Sequence, residues 1–398
     1  MEVKQAVILA GGQGKRLRPF TLKNTKPMIP INGRPFLEYL IETLKENGIK
    51  EVVILIGYLG EKIKEYFGDG SRFGLRIKYS YTPLQDENGE EQESGIRMEN
   101  AENLLDDKFL LMYCDNYWPL QLERLEKFYN EKGADVLVTV YSNKDNFTKN
   151  NILVDEKGFV VKYDRSREEK NLNGVDIGFF IIDKKVLKML PKENSHFERD
   201  ILPKLVSQRQ LSGYLTDHRY YSISTPERVK LTEKFLSPKK VVFLDRDGVI
   251  NKRPPKADYV KSWDEFEFLP EAVEVLKNLC RKEYDIYLVT NQPGVARSMM
   301  TQEDLDLIHQ KMEKELIKNG VKIKGIYCCT HGWDDGCECR KPKPGLLFQA
   351  AREHKLNLTK TIFIGDDKRD IQAGEAAGCK TFLVTSENNL LKIVNKLC

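Results

Sequence analysis

The stretch Val241 to Asn251, V-V-F-L-D-R-D-G-V-I-N, constrains this chain more tightly than any other. Four consecutive apolar residues, two of them β-branched, predict a strand buried on both faces, as in a parallel sheet, that runs straight into a carboxylate pair. Asp245 and Asp247 then stand at the C-terminal end of the strand, where open α/β sheets place their ligands, and Gly248 turns the chain. Such a pair can hold Mg²⁺, and it can divide into a nucleophile and a general acid/base. The competing reading is an ordinary strand ending in an acidic turn, and the motifs downstream decide against it.

At 398 residues the chain is long enough for two domains, each with its own core. Its 64 basic and 60 acidic side chains nearly cancel, which argues against nucleic-acid binding, although cations can still gather locally around phosphates. Met1 leads almost directly into A-V-I-L-A without a signal-peptide layout, and no apolar run approaches the ~18 residues of a membrane span. The expectation is a cytoplasmic protein with no membrane partner. Its oligomeric state is left open, a homo-oligomer included.

The first strand, Ala6 to Ala10, is followed by G-G-Q-G-K-R-L-R-P-F-T and then T-K-P-M-I-P-I. Gly11, Gly12 and Gly14 can bring bare backbone N–H groups against a ligand, and Lys15, Arg16 and Lys26 add positive charge, which together read as a phosphate cradle. Strand and helix patterns then alternate through E-V-V-I-L-I-G, Glu61 to Phe67 and I-K-Y-S-Y, as in a doubly wound α/β sheet. K-F-L-L-M-Y-C-D-N is a second buried strand ending in a carboxylate, Asp115.

The glycine-rich string resembles the signature of the sugar-1-phosphate nucleotidyltransferases, which make nucleotide sugars such as GDP-mannose. That resemblance implies a GT-A-like, Rossmann-like domain. It further implies a catalytic Arg16, nucleotide phosphates on Gly11, Gly12, Gly14 and Lys15, Lys26 on the substrate, and Mg²⁺ on Asp115. Later landmarks are partly present: Arg165 stands where the family has a lysine that touches the sugar phosphate, Asp176 replaces an asparagine beside the sugar, and Glu198 lies in a Phe-Glu segment near sugar hydroxyls. Two departures stand out. Ser222 occupies the position of a second metal-binding aspartate, and L-Q-D-E-N-G-E-E-Q-E-S-G is acidic where the family has a small loop near the base. A serine hydroxyl is a poor Mg²⁺ ligand.

An amphipathic helix from Pro226 to Leu236 closes the first half, and Ser237-Pro238-Lys239-Lys240 breaks the pattern. The domains expected are 1–236 and 241–398, with 237–240 as linker. In the second half, D-I-Y-L-V-T-N-Q ends a strand at Thr290 and Asn291, R-K-P-K-P supplies Arg340 and Lys341, and T-I-F-I-G-D-D-K-R-D ends another strand at Asp366. Convergence of these strand ends is similar to the haloacid dehalogenase superfamily. The similarity implies Asp245 as nucleophile, Asp247 as acid/base, Thr290 and Lys341 on the phosphate, and Asp245, Asp247 and Asp366 around Mg²⁺. Asn291 and Arg340 are expected on the substrate. The interval from Asp245 to Thr290, which must also hold the helix Pro270 to Lys282, leaves no room for a cap domain.

Four cysteines, Cys328, Cys329, Cys337 and Cys339, lie within one dozen residues. The pattern C-T-H-x5-C-E-C offers Cys329, His331, Cys337 and Cys339 as soft or borderline ligands suited to tetrahedral Zn²⁺, a structural site pinning the loop that delivers Arg340 and Lys341. Cys328 is left to strand-end packing. The motifs from Val241 to about Thr385 resemble D,D-heptose 1,7-bisphosphate phosphatases and their histidinol-phosphate phosphatase relatives. Two functions follow. In the first, an enzyme of nucleotide-sugar supply removes the 7-phosphate of a heptose bisphosphate and then transfers a nucleotide, from GTP by resemblance, to heptose 1-phosphate. In the second, a histidinol-phosphate or sugar-bisphosphate phosphatase carries a catalytically impaired N-terminal domain that senses nucleotide or sugar phosphate.

Overall fold

The computed structural model describes residues 2–191, 193–255 and 258–397. The chain divides into two compact units, Met1–Leu236 and Ser237–Cys398.

In the first unit, strands β1 (Gln5–Ala10), β2 (Glu51–Ile56), β3 (Arg76–Tyr81), β4 (Lys108–Tyr113), β5 (Val136–Tyr141), β6 (Val175–Asp183) and β7 (Leu211–Thr216) form one sheet. Their spatial order is β7-β5-β6-β4-β1-β2-β3. β1 pairs in parallel with β2 and β4, with Ala6 opposite both Val52 and Leu110. Because side chains alternate along a strand, Ala6, Ile8 and Ala10 enter one core while Val7 and Leu9 enter the other. Helices cover both faces, which is why β1 and β2 are buried throughout.

The sheet departs from a purely parallel doubly wound pattern at one strand. β6 runs antiparallel to both neighbours, β4 and β5. After β5 the chain makes a small hairpin, Ile152–Val154 with Val160–Tyr163, and re-enters the sheet from the opposite end. That return lays Asp176, near the start of β6, toward the same end of the sheet as Tyr113 at the end of β4.

The second unit holds β8 (Lys240–Leu244), β9 (Tyr284–Asn291), β10 (Ile323–Cys329), β11 (Ile362–Gly365) and β12 (Lys380–Leu383), in the order β10-β9-β8-β11-β12 and all parallel. Val242 and Leu244 pack into one core, Val241 and Phe243 into the other. The strand order reverses between β8 and β11, and in open α/β sheets the crevice above such a switch point is the ligand site. Asp245 caps β8 at that point, its N–H donating to Ile364 O of β11 at 3.0 Å. The helix expected from Pro270 to Lys282 runs Ala272–Arg281. The linker is one residue shorter than expected, because Lys240 already pairs with Tyr284 in the ladder, and Lys239 bonds the carbonyls of His354 and Lys355.

Candidate active sites

In the second unit, Asp245, Asp247, Thr290, Asn291, Arg340, Lys341 and Asp366 all line one cleft of about 650 Å³. Its centre is a buried charge cluster. Lys341, 3 % exposed, places Nζ 2.9 Å from Asp245 Oδ1 and 2.6 Å from Asp370 Oδ1, and donates to Val289 O at 2.8 Å. Burial pushes the Asp245 carboxyl up to about 7, and the negative charges of Asp370 and Asp247 push the same way against the opposing Lys341 ammonium. Burial likewise raises Asp366 to about 6, with Arg253 opposing. Three carboxylates crowded into a desolvated pocket repel one another, and a divalent cation relieves that repulsion.

The side-chain carboxylates that the structure gathers differ in one member from the expected set. One oxygen each from Asp245, Asp366 and Asp370 lies within 4.8 Å of the others, an all-oxygen donor set that fits Mg²⁺. The side chain of Asp247 stands outside that group. Its oxygens accept hydrogen bonds from Arg246 (3.0 and 3.1 Å), Asn251 (2.8 Å) and Gln292 (2.7 Å). Burial alone pushes the Asp247 carboxyl up, but Arg246 and these bonds outweigh it, holding the group below the usual carboxylate range. Arg246 is itself fully buried and donates to His309 Nε2 at 3.1 Å.

Asp370 escaped the sequence reading, although the spacing D-x-x-x-D from Asp366 was its visible signal. It sits in the first turn of helix Lys368–Ala376, where its carboxylate also accepts from the Asp367 N–H in a capping box. Gln292, one residue past Asn291, was missed too; its amide donates to both Asp247 and Thr290 Oγ1, the latter at 3.0 Å. Asn291 is committed differently from the expectation. Its side-chain amide accepts from Lys341 N–H and donates to Lys341 O, each at 3.1 Å, so it sets the backbone of the lysine while still lining the cleft. Gly248, with φ of 83°, is required for close approach, since a Cβ there would stand 1.8 Å from Asp366 Oδ2.

Beside this cleft, Cys329, His331, Cys337 and Cys339 converge, one ligand atom from each within 4.8 Å of the rest. Two of their sulfur separations, 3.3 Å for Cys329–Cys339 and 3.8 Å for Cys329–Cys337, approach the ~3.8 Å expected between thiolates on one tetrahedral Zn²⁺. The donor set therefore fits zinc. The neighbouring Cys328 faces the other way, and burial pushes its thiol up to about 12, as an inert packing residue requires.

In the first unit, Gly12, Gly14, Lys15, Arg16, Lys26 and Asp115 line a cleft of about 380 Å³ above the ends of β1 and β4. Gly14 turns the chain there with φ of 61°. Gly11 is not among the residues that line this cleft, and a Cβ on it would stand 2.2 Å from the Arg97 guanidinium. Arg97, 5 % exposed, donates to Thr82 O and Gln92 O, and so ties the acidic loop to the base of the glycine turn. Lys26 and Asp115 are ion-paired, and Glu91 of the acidic loop reaches Lys15 at 3.6 Å.

Ser222 is 4 % exposed and opposite Asn116 in a two-residue ribbon; its hydroxyl lies 3.0 Å from that of Ser224, which does line the cleft. Among the described residues Asp115 belongs to no group of three or more His, Cys, Asp or Glu side chains placed to share a metal ion. Arg165, Asp176 and Glu198 form a neighbouring cluster, outside the cleft-lining set, with Arg165 3.3 Å from Glu198 and Asp176 accepting from Tyr163 at 2.8 Å. Burial, aided by the charge of Glu198, pushes Asp176 up to about 7. Tyr113 joins the two regions, since it lines the cleft while burial, aided by the charges of Glu198 and Asp176, pushes its phenol well above the usual range.

A nucleotidyl transferase family model matches residues 5–223, and an HAD-hydrolase-like model matches residues 338–395. The D-glycero-β-D-manno-heptose-1,7-bisphosphate 7-phosphatase of Bordetella bronchiseptica is 40% identical over 149 residues, 37% of this chain and 82% of the relative. The corresponding α-heptose enzyme of Campylobacter jejuni is 40% identical over 148 residues, 37% of this chain and 83% of that protein. A solved Bacillus anthracis structure, described as a glucose-1-phosphate thymidylyltransferase, covers 57% of this chain and 93% of its own at 18% identity and a TM-score of 0.50, a likeness of fold alone. Its first unit places this chain in the nucleotidyl transferase family, and through its second unit it belongs equally to the family of the heptose-bisphosphate phosphatases.

Proposed function

We propose that the chain is a bifunctional enzyme that converts D-glycero-D-manno-heptose 1,7-bisphosphate, as the α anomer, to the 1-phosphate and then, with GTP, to GDP-heptose and pyrophosphate. The observation that carries the phosphatase half is the buried Asp245–Lys341–Asp370 cluster at the switch point of a parallel sheet. Asp245 attacks phosphorus and forms an aspartyl phosphate while the sugar alkoxide leaves. Lys341 offsets the repulsion between carboxylate and phosphate, and Asn291 holds the lysine backbone in register. Mg²⁺ on Asp245, Asp366 and Asp370 supplies further charge neutralisation when bound. Asp247 is ionised at rest, so the proton that it gives to the alkoxide is one taken up from the monoanionic phosphate as substrate enters; the same carboxylate then activates water for hydrolysis. Arg340 suits the phosphate that is kept, since its planar fork matches phosphate oxygens.

The substrate follows from the pairing of the two families in one chain. A nucleotidyltransferase needs an anomeric phosphate, so a useful partner removes a distal phosphate and spares the anomeric one. Heptose 1,7-bisphosphate meets that condition, and histidinol phosphate does not. In the first unit, Gly12, Gly14, Lys15 and Arg16 hold the triphosphate, Lys26 and Asp115 lie at the reacting phosphates with Asp115 as the Mg²⁺ ligand, and Arg165, Asp176 and Glu198 serve the sugar phosphate. The zinc site is structural. Among the described residues no helix is long and apolar enough to cross a membrane.

A second reading, in which the first unit senses nucleotide without turnover, is favoured by Ser222 in place of a carboxylate and by the ion pairs that Asp115 and Lys15 already make. Pyrophosphate release from heptose 1-phosphate and GTP separates the two. For the phosphatase, the test is kcat/KM for the heptose bisphosphate against histidinol phosphate. A higher value for histidinol phosphate overturns the heptose assignment.

A further inference from the structure

Large aromatic side chains are usually buried at least in part, and the other two tryptophans of this chain follow that rule. Trp118 is 1 % exposed, and Trp263 stacks on Phe266 with ring centroids 5.0 Å apart. Trp333 does not: it is 71 % exposed, on the loop between His331 and Cys337. Leaving an indole in water forgoes the hydrophobic gain of burying it, so its position calls for an explanation. The loop that carries it is fixed at both ends by the Cys/His cluster, hence the indole is held in place although solvent surrounds it.

Trp333 also lines the phosphatase cleft together with Asp245, Arg340 and Lys341. The Arg340 guanidinium lies 5.7 Å from the indole centroid, against the ring. The lining of the cleft also includes Tyr259 and Pro293. A substrate that spans this cleft has one phosphate at Asp245 and Lys341 and a polar or anionic group at Arg340, with the body of the molecule beside the indole. A pyranose has C–H-rich faces and hydroxyls around its rim, so it can cover an aromatic face while its hydroxyls stay in water.

On the substrate reading given above, we propose that Trp333 is the sugar platform of the phosphatase site, a specificity-determining residue that stacks on the ring of the bisphosphate between the phosphate that is cleaved and the one that is kept. Trp333 selects for a cyclic sugar through contact with its face and takes no part in proton or phosphoryl transfer.

The test uses the full chain with zinc and Mg²⁺, and D-glycero-D-manno-heptose 1,7-bisphosphate as probe. Trp333→Ala should raise KM about tenfold, the equivalent of ~1.4 kcal/mol, with kcat changed less than about threefold and zinc content unchanged, and Trp333→Phe should restore most of the loss. In an Asp245→Asn background the bisphosphate should quench tryptophan emission, and the quench should vanish when Trp333→Ala is added. Wild-type KM in Trp333→Ala overturns the assignment, as does an equal KM rise in the Ala and Phe variants. A wild-type chain that is inert to the bisphosphate overturns the substrate reading instead, and this assignment with it.

Discussion

Lys341 and Asp370 face each other at 2.6 Å with side chains only 3% and 2% exposed, so the lysine proposed to hold substrate phosphate is itself held by a carboxylate four residues beyond Asp366. Removing one partner of a buried pair leaves an uncompensated charge, here softened because Asp245 also reaches Lys341 at 2.9 Å. Asp370→Ala is expected to destabilise the second unit by about 2–4 kcal/mol as well as to weaken Mg²⁺ dependence. Urea denaturation followed in the second unit checks this, and a midpoint equal to wild type contradicts it.

Asp245→Asn should abolish phosphate release, by at least about a thousandfold, because a neutral amide cannot act as the nucleophile. Pyrophosphate formation from heptose 1-phosphate should persist in the same variant, since Asp245 lies in the other compact unit. Measurable phosphate release from this variant would falsify the nucleophile assignment.

Asp115→Ala is the converse experiment. It should stop pyrophosphate release and leave phosphatase turnover at wild-type level. An active transferase in this variant means that the metal ligand has been misassigned, and Ser224, which lines the same cleft, becomes the next position to change.

About one Zn²⁺ per chain should survive dialysis, and replacing Cys337 or Cys339 with Ser should release it. Because the same loop leads into Arg340 and Lys341, phosphatase activity should fall with zinc content. Elemental analysis of the wild-type protein is sufficient, and the absence of zinc there rules the site out.

His309 gives a pH signature. Its Nε2 accepts from Arg246, which requires a neutral ring, and burial followed by the Arg246 charge pushes the imidazole from its ordinary 6.5 down to about 4. Between these values the unfolded chain carries a proton at His309 that the folded chain lacks. The contribution of His309 to stability is therefore complete above pH 6.5 and is lost as pH falls toward 4, by at most about 1.4 kcal/mol per pH unit. Denaturation midpoints across that window, compared between wild type and His309→Gln, isolate the effect; identical slopes would show that the ring titrates normally.

The phosphatase fold and most of its cleft were legible in the sequence because each parallel strand is a run of apolar residues that ends in the group it presents: Asp245, Thr290 and Asp366 are all strand ends. Local spacing also sufficed for the four cluster ligands, which lie within eleven residues of one another. Contacts between distant segments were not legible. Nothing near Asp247 in sequence shows that Gln292, 45 residues on, would take one of its oxygens. Likewise, the close packing of Arg97 on Gly11 depends on a loop closing back over the first turn. The antiparallel β6 was hidden for a related reason, since strand direction is set by the preceding hairpin and not by the apolar pattern of Val175–Asp183.

The most direct measurement is phosphorus NMR of the intact chain incubated with D-glycero-D-manno-heptose 1,7-bisphosphate, GTP and Mg²⁺. Orthophosphate should appear first, at the expense of the 7-phosphate resonance, and pyrophosphate and a sugar-linked nucleoside diphosphate should follow. Asp245→Asn should yield neither product from the bisphosphate but give pyrophosphate from heptose 1-phosphate. Orthophosphate without pyrophosphate, whichever nucleoside triphosphate is supplied, would contradict the bifunctional account and leave the first unit as a sensor.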